Sequence, residues 1–350
     1  MSKSLFAVGF GVGTRNQKGE WLEVFYPAPL VNPTSGVIAA LEAIGYTFKD
    51  SQGEGNSAID LDQSKLGALE SALRKAGEIA QADVVKALKD STQPRVAVIL
   101  ESDAQPQSVP EAYLKLHLLS HRLVKPHGIV LAGIFAVLPN VAWTNRGAID
   151  LAELSQRQLQ ARLRGELLEV MSVDKFPKMT NYVVPSGVRI AHTARVRLGA
   201  YLGEGTTIMH EGFVNFNAGT EGPGMVEGRI SAGVFVGAGS DLGGGCSTMG
   251  TLSGGNSVVI SVGTGCLIGA NAGIGIPLGD HCTIEAGLYI TSGSVISVLD
   301  DEGQLVKKLK ARDLSGKSDL LFRRNSQNGA IEALSNKSAI ELNAELHAHN

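Results

Sequence analysis

The chain has few residues of the kinds that cross-link small domains or fill aromatic cores. Only three of its 350 residues are cysteines, and aromatic side chains make up 5%. Three cysteines cannot form a disulfide framework, and the spacing of Cys246, Cys266 and Cys282 is not that of a zinc site. This cysteine usage favours a reducing compartment, so we expect a cytoplasmic protein.

An excess of one charge and long apolar segments are also missing. The formal net charge is −3, which provides no bulk attraction to nucleic acid or anionic lipid. The apolar run at residues 5–12 is too short to span a membrane, and no cleavage-like sequence follows it. We therefore expect neither a nucleic-acid nor a membrane partner.

Glycine, in contrast, is abundant with 43 residues, and apolar residues recur at every sixth position between 184 and 298. A period of six is neither helical nor the alternation expected of an antiparallel sandwich. It is typical of a parallel β-helix, in which each unit supplies one strand and one corner, and coils stack about 4.8 Å apart. The residues in register are Val184, Ile190, Val196, Leu202, Ile208, Val214, Ile230, Val236, Leu242, Val262, Ile268 and Ile274.

The period defines the domain organisation. We predict an α/β domain over residues 1–175, the β-helix over 176–298 and a small β-rich C-terminal extension over 299–350. Two glycine-rich stretches, 217–228 and 249–257, interrupt the period and are predicted to be loops that leave its corners. A short helix is expected in the segment 338–350.

The N-terminal domain should mix strands with amphipathic helices. A hairpin is predicted because turn residues at 16–19 separate two strands. The predicted strands are 4–14, 20–26, 95–100 and 129–137, and the predicted helices are 35–46, 65–89, 110–124 and 151–171.

Two motifs in this domain invite a functional interpretation, but the sequence favours a structural one. The segment 11–15 superficially resembles a phosphate-binding loop, yet a strand follows it where such a loop needs a helix. His117 and His121 stand one helical turn apart and could hold a metal, but no third ligand is near, so packing is favoured.

The β-helix contains one pair of residues suited to chemistry, Glu227 and Arg229, separated by one glycine. Arg229 could keep Glu227 ionised or could bind a substrate carboxylate. An ionised Glu227 near an amine could act as general base or as nucleophile. A surface ion pair without function is the alternative.

Other residues give weaker signals. Glu211 could hold a divalent cation if several copies met along one face of an oligomer, and otherwise it is an exposed carboxylate. Cys246 has no histidine near it in sequence and is interpreted as filling the β-helix. Basic residues after 304, together with Arg323 and Arg324, suit a polyanion such as a nucleotide diphosphate, or form a solvated basic edge.

Four segments share their sequence with one family: Glu-Gly-Phe-Val-Asn-Phe-Asn-Ala-Gly-Thr at 211–220, Met-Val-Glu-Gly-Arg-Ile-Ser-Ala-Gly-Val at 225–234, Gly-Thr-Leu-Ser-Gly at 250–254 and Leu-Leu-Phe-Arg-Arg-Asn-Ser at 320–326. Together they resemble the tetrahydrodipicolinate N-succinyltransferases, and especially the longer branch found in actinobacteria and pseudomonads. The resemblance covers residues 180–330.

This resemblance implies a left-handed β-helix, a homotrimer and succinyl-CoA as a co-substrate, with no tightly bound cofactor. The implied acceptor is L-2-amino-6-oxopimelate, the open-chain form of tetrahydrodipicolinate, in lysine and meso-diaminopimelate synthesis. Glu227 would be the catalytic carboxylate, acting as nucleophile or base, and Arg229 would bind an acyl or CoA group. Other implied CoA contacts are Gly244, Ser247, Ala270, Glu285, Ala286, Gly293, Lys310, Arg323, Arg324, Asn325 and Ser326.

Two points are left open by this resemblance. Relatives carry magnesium on the trimer axis, partly through the position of Glu211, but the partner carboxylate is Ala194 here. The alternatives to a succinyltransferase are another hexapeptide acyltransferase, acting on a sugar nucleotide or an amino acid, and a non-catalytic or metal-dependent β-helix protein. The scattered positions of His192, His210 and His281 argue against a zinc site.

Overall fold

A computed structural model describes residues 4–49, 55–250 and 258–335. The chain divides into two compact units. The first unit contains Met1–Leu118 and Gly128–Pro177, and the second contains Leu119–His127 and Lys178–Asn350. Among the described residues, no helix has both the length and the apolar character that crossing a membrane requires.

The first unit is built from two antiparallel sheets and several helices. Strands β1 to β5 form one sheet, in which β2, β1, β5 and β4 lie in that order and β3 also pairs with β1. A second sheet has the order β7-β6-β8. The elements are β1 Ala7–Arg15, β2 Trp21–Phe25, β3 Leu30–Val31, α1 Ser35–Ala40, β4 Ser57–Asp60, α2 Gln63–Lys75, α3 Ile79–Leu88, β5 Arg95–Leu100, α4 Val109–Ser120 (whose last two residues belong to the second unit), α5 Ile134–Val137, β6 Val141–Thr144, β7 Gly147–Asp150, α6 Leu151–Leu163 and β8 Val170–Asp174.

The core of this unit follows from the amphipathic pattern of its helices. Helix α2 buries Leu66, Leu69 and Leu73, which recur at helical spacing, and the Asp62 carboxylate caps its first turn by accepting the Lys65 N–H at 2.8 Å. These leucines belong to one core cluster with alternate residues of β1 and β5. The predicted hairpin of β1 and β2 is confirmed.

Three predicted elements of this unit are wrong in extent or type. The helix expected over 65–89 is two helices, because Gly77 adopts a φ of +79° that ends α2. The strand expected over 129–137 is instead an irregular segment that ends in the helical turn α5. The helix expected over 151–171 ends at Leu163, and strand β8 follows.

The two N-terminal motifs have structural roles, as the sequence favoured. His117 is fully buried; its Nδ1 lies 2.7 Å from the Tyr113 carbonyl, and its Nε2 accepts the Tyr26 N–H at 3.2 Å. The glycines of segment 11–15 lie within β1, where a side chain on Gly11 would come within 2.7 Å of the Tyr26 ring. They allow close packing, so no phosphate site is needed to explain them.

The second unit is dominated by short strands that pair in parallel. After β9 Arg189–Ile190, the strands are β10 Ala200–Leu202, β11 Thr206–Ile208, β12 Phe213–Val214, β13 Ala218–Thr220, β14 Gly224–Val226, β15 Arg229–Ile230, β16 Phe235–Val236, β17 Asp241–Leu242, β18 Ser247–Thr248, β19 Ser261–Val262, β20 Leu267–Ile268, β21 Gly273–Gly275, β22 Thr283–Ile284, β23 Tyr289–Thr291, β24 Val295–Leu299, β25 Leu305–Lys310, β26 Leu320–Arg324 and β27 Ile331–Ser335.

These strands form three parallel ladders, as a three-sided β-helix requires. The first ladder is β10-β13-β16-β19, the second is β9-β11-β14-β17-β20-β22-β26, and the third is β12-β15-β18-β21-β23. Successive strands along the chain belong to different ladders, and each strand pairs with a strand of the next coil. The predicted parallel β-helix is confirmed at this level.

The six-residue period identifies the side chains inside the β-helix. Of the twelve residues in register, ten are at most 3% exposed, from Val196 to Ile274. Val184 is 70% exposed and Ile190 is half-buried, so the first coil is less regular than the period predicts. The apolar interior is therefore continuous from the coil of Val196 onward.

The first predicted loop, 217–228, is wrong, because this stretch contains strands β13 and β14. Thr220 occupies the interior position where the pattern calls for an apolar residue. Its hydroxyl lies 2.6 Å from the Thr206 hydroxyl, so the two buried polar groups satisfy each other. The break in the pattern thus reflects this polar pair together with a short corner, since the buried residues Val226 and Ile230 are only four positions apart.

The second predicted loop, 249–257, lies mostly outside the described residues, as do segment 251–254 of the family-like motif and the expected C-terminal helix. The ladders are in register on both sides, since β17 pairs with β20 and β18 with β21. Residues beyond 298 rejoin the β-helix: β26 pairs in parallel with β22, and Phe322 takes a fully buried position beside Ile284.

Candidate active site

The candidate site follows one corner of the β-helix, where the chain leaves the second ladder. The residue after each inward side chain of this ladder donates its N–H to the next coil. Glu227 donates to Leu242 O at 2.8 Å, Gly243 to Ile268 O at 2.8 Å, Gly269 to Ile284 O at 2.8 Å and Glu285 to Phe322 O at 2.9 Å. Each of these residues and the residue after it form one corner segment. We call the stack of corner segments, 227–228, 243–244, 269–270, 285–286 and 323–324, the corner column. It brings Glu227 and segment 323–324 onto one continuous line.

Small residues make this corner narrow and expose its backbone. Gly244, Ala270 and Ala286 each come second in their corner segment. Within the part of the chain that the structure describes, their N–H groups donate to no acceptor. Three amide donors on successive coils can therefore bind the carbonyl groups of an extended ligand, as a sheet edge binds a strand.

Glu227 stands at one end of the column and is half-buried. A methyl group built on Gly244 would lie 3.5 Å from the Glu227 Oε2, so the carboxylate sits above the glycine of the next coil. Gly228, the residue after Glu227, also has no room for a side chain, since a Cβ there would be 2.3 Å from Cys246 Sγ. The lack of side chains at both glycines is what gives the carboxylate this position.

Arg229 is on the other side of Gly228, at the start of β15 on the third ladder. It is exposed and pairs in register with Phe213 and Ser247. Among the ion pairs of the described residues, none joins Arg229 to Glu227, so the predicted pairing of the two is not found. The guanidinium remains available for the other predicted role, binding a carboxylate.

Cys246 is buried beneath this end of the column. Burial, the largest effect, raises the pKa of its thiol to about 12, with Glu227 adding to the rise and Arg229 opposing it. The thiol is therefore neutral near pH 7 and cannot serve as a nucleophile. This agrees with its interpretation as a residue that fills the interior.

The far end of the column is held by a group that sequence reasoning missed. Glu332, which is 7% exposed, accepts the Arg323 Nε–H at 2.9 Å and the Asn325 Nδ2–H at 2.8 Å. Asn325, with Arg323 contributing, holds the pKa of Glu332 below its usual range. Glu285 in turn accepts the Arg324 N–H at 2.6 Å, so both carboxylates fix the basic segment 323–325.

The other predicted CoA contacts fall into two groups. Ser247 is beside the column on the third ladder, and Ser326 follows the basic segment and is exposed. Gly293 and Lys310 lie close together at the β24–β25 hairpin, where Val295 pairs with Lys310. These two belong to the hairpin rather than to the corner column.

Glu211 does not fit a magnesium site. The Arg195 guanidinium lies 3.3 Å from its carboxylate and His210 Nδ1 lies 2.9 Å away, and both contacts lower its pKa, His210 most. The positive charge of Arg195 in this position competes with a cation. No group of three or more His, Cys, Asp or Glu side chains in the described ranges is arranged to hold a metal ion.

Comparison with known proteins identifies the family. Models of the N-terminal and middle regions of tetrahydrodipicolinate N-succinyltransferase match residues 63–136 and 138–178, and a hexapeptide repeat of succinyl-transferase matches 259–292. A 2,3,4,5-tetrahydropyridine-2,6-dicarboxylate N-succinyltransferase from Pseudomonas paraeruginosa is 67% identical over the full length of both chains. This chain belongs to the tetrahydrodipicolinate N-succinyltransferase family.

More distant members of the family are similar over the same length. The Vibrio cholerae enzyme of the same name is 58% identical, covering 99% of both chains. A crystal structure from Campylobacter jejuni, described as a 2,3,4,5-tetrahydropyridine-2-carboxylate N-succinyltransferase, is 35% identical with a TM-score of 0.89, covering 97% of this chain and 94% of that one. The similarity therefore includes the N-terminal unit, which the sequence motifs at 180–330 left out.

Proposed function

We propose that this chain transfers the succinyl group of succinyl-CoA to the amino group of L-2-amino-6-oxopimelate, the open-chain form of tetrahydrodipicolinate, in lysine and meso-diaminopimelate synthesis. The names of its full-length relatives support this reaction. The observation that carries it in this molecule is the corner column, which has a carboxylate at one end, amide donors along it and arginines at the other.

Succinyl-CoA, the acyl donor, lies along the corner column in this proposal. The pantetheine arm contains two amides whose carbonyls can accept from the N–H groups of Ala270 and Ala286. The phosphates reach Arg323 and Arg324, whose positive charge suits them. This orientation puts the thioester beside Glu227.

Glu227 acts as the general base. The neutral amine of the acceptor attacks the thioester carbonyl carbon and forms a C–N bond, while Glu227 takes the proton that the nitrogen loses. The oxyanion of the tetrahedral intermediate accepts a hydrogen bond from Gly244 N–H, which is next to the carboxylate. The C–S bond then breaks, and the thiolate of CoA takes the proton from Glu227.

Arg229 binds a carboxylate in this scheme. Its guanidinium is exposed on the outer face of the third ladder, one residue beyond the corner that carries Glu227. The free carboxylate of the succinyl group is the charge nearest to the thioester carbonyl, and a bidentate contact there would favour succinyl over acetyl donors.

The finer architecture is also part of the proposal. The β-helix is left-handed, and three copies of the chain form a homotrimer in which the column faces a groove between neighbouring prisms. Residues 1–175 form the α/β domain, 176–298 carry the chemistry, and 299–350 close the CoA end. Support for the last assignment comes from β26, which extends the second ladder by one strand.

The test combines turnover with matched variants. The purified protein is mixed with tetrahydrodipicolinate and either succinyl-CoA or acetyl-CoA, and release of free thiol is followed. We expect turnover with succinyl-CoA, a large loss in Glu227→Gln, and normal turnover in Glu204→Gln, which changes an exposed carboxylate elsewhere on the β-helix. Near-normal turnover of Glu227→Gln would remove Glu227 from the mechanism, and sedimentation equilibrium at any mass other than three chains would refute the trimer.

A further inference from the structure

The first unit contains a cavity of about 490 Å³ that plays no part in the reaction proposed above. It lies between the end of the β1–β2 hairpin and helix α6 with strand β7. All the residues that line it belong to this unit, and its volume is within the range of small-molecule sites. Its charged lining residues are Arg15, Arg146, Asp150, Glu153, Arg157 and Arg164.

The two carboxylates of this lining are already engaged by donors. Asp150 caps α6 by accepting the Ala152 N–H at 2.9 Å, and it accepts the Asn16 side-chain N–H at 2.7 Å; these bonds hold its pKa below the usual range. Glu153 accepts the Gln17 N–H at 2.6 Å. Both carboxylates are thus already hydrogen-bonded within the protein.

The guanidinium groups, in contrast, keep donors to spare. Arg157 makes one contact of 3.3 Å to Glu153, and Arg164 makes contacts of 3.4 Å to Glu166. Each guanidinium has five N–H donors, so these weak pairs leave most of them available. Both side chains are about half exposed, at 50% and 53%, and can reorient toward a ligand.

Arg15 is the least exposed of the four arginines, with 27% of its side chain accessible. It stacks 4.1 Å from the centre of the Trp21 ring and donates to Asp60 at 2.6 Å. Its Nε is buried and has no hydrogen-bond partner among the residues that the structure describes. A buried donor without an acceptor is costly, and a ligand oxygen would satisfy it.

We propose that this cavity binds a small organic polyanion through Arg15, Arg157 and Arg164. The lining itself contains four guanidinium groups and two carboxylates. The other carboxylates that pair with these arginines, Asp60 with Arg15 and Glu166 with Arg146 and Arg164, lie outside the lining. Guanidinium groups bind phosphate and carboxylate oxygens bidentately, and both are therefore suitable groups on the ligand. The volume exceeds that of a single phosphate ion, and Leu22 and Leu168 provide apolar contacts for a carbon skeleton.

The test is calorimetric titration of the full-length protein with sodium pyrophosphate and, separately, with citrate at low ionic strength, where screening is weak. We expect at least one probe to bind, and the preferred probe distinguishes a phosphate from a carboxylate ligand. The Arg157→Gln/Arg164→Gln double variant should bind it at least tenfold more weakly. Its melting temperature without ligand should be unchanged, because both side chains are partly exposed.

Two controls complete the experiment. Arg162→Gln removes an exposed arginine of the same helix that does not line the cavity, and Arg323→Gln removes a charge from the proposed CoA site. Both should bind the probe as the unchanged protein does. The proposal is overturned if neither probe binds, if the double variant binds normally, or if either control loses as much affinity. Because binding is measured without turnover, these outcomes are independent of the succinyltransferase assay.

Discussion

Two glycines beside Glu227 allow the geometry of the corner to be tested with one added methyl group each. Neither Gly228 nor Gly244 has a positive φ, so alanine adds volume without backbone strain. In Gly228→Ala the new Cβ would lie 2.3 Å from Cys246 Sγ and 2.6 Å from Cys246 O, and backbone atoms cannot easily move away. Overpacking of this kind costs about 1–3 kcal/mol, which lowers Tm by about 2–4 °C per kcal/mol in a unit of this size.

Gly244→Ala should leave the melting temperature nearly unchanged but lower the activity. Its Cβ would make only an ordinary contact, 3.5 Å from Glu227 Oε2, so Tm should change by less than about 2 °C. The methyl group nevertheless occupies the surface between the carboxylate and the thioester. Displacement of reacting groups by about 1 Å can lower the rate a hundredfold, and we expect kcat/KM to fall at least about tenfold.

Differential scanning fluorimetry and thiol-release kinetics on the two variants measure both quantities. An unchanged kcat/KM in Gly244→Ala would show that the thioester does not lie against Gly244. An unchanged melting temperature in Gly228→Ala would show that the contact between residue 228 and Cys246 is looser than the structure indicates.

Three further predictions concern other parts of the β-helix. Glu332→Gln should raise the KM for succinyl-CoA by about 3–10-fold with a smaller change in kcat, because a charge-assisted bond that positions Asn325 is weakened; steady-state kinetics at varied donor concentration measure the split. Thr220→Val should lower the free energy of unfolding, measured with denaturant, by about 1–3 kcal/mol, because it leaves the Thr206 hydroxyl unpaired. Changing both threonines to valine should lower it by less, and equal losses would contradict the pairing. Iodoacetamide should label the peptide containing Cys246 slowly in the native protein up to pH 9, because burial raises the pKa of this thiol to about 12, and rapid labelling seen by mass spectrometry would show that it is ionised or accessible.

The interior of the β-helix could be predicted from the sequence because one physical requirement repeats in every coil. Each six-residue unit must bury one side chain, so Leu202, Ile208 and Val236 mark the interior wherever they occur. The prediction failed where that requirement is met differently. Thr220 is as buried as its neighbours, but its hydroxyl is paired with a threonine of a different ladder, and a hydrophobicity pattern does not report such pairs.

The site was only partly accessible from the sequence, for a similar reason. Glu227 and Arg229 stand out locally, but an ion pair between them, one of the alternatives that the local pattern suggested, is not found among the described residues. The chain turns the corner at Gly228, so Glu227 follows a strand of the second ladder and Arg229 begins a strand of the third. Glu332 could not be identified at all, since its partners come from another strand and the segment around it has no motif.

The order of groups along the corner column accounts for why a β-helix suits this reaction. Stacking fixes one residue of each coil on the same line, so the four coil spacings from Glu227 to Arg323 cover about 19 Å. Glycine and alanine in the middle leave neutral amide donors, while charge is confined to the two ends. A CoA thioester has the same order, with an uncharged arm between the reactive carbonyl and the phosphates. The regular coil repeat therefore positions the carboxylate and the arginines relative to each other, although Glu227 and Arg323 are 96 positions apart in the sequence.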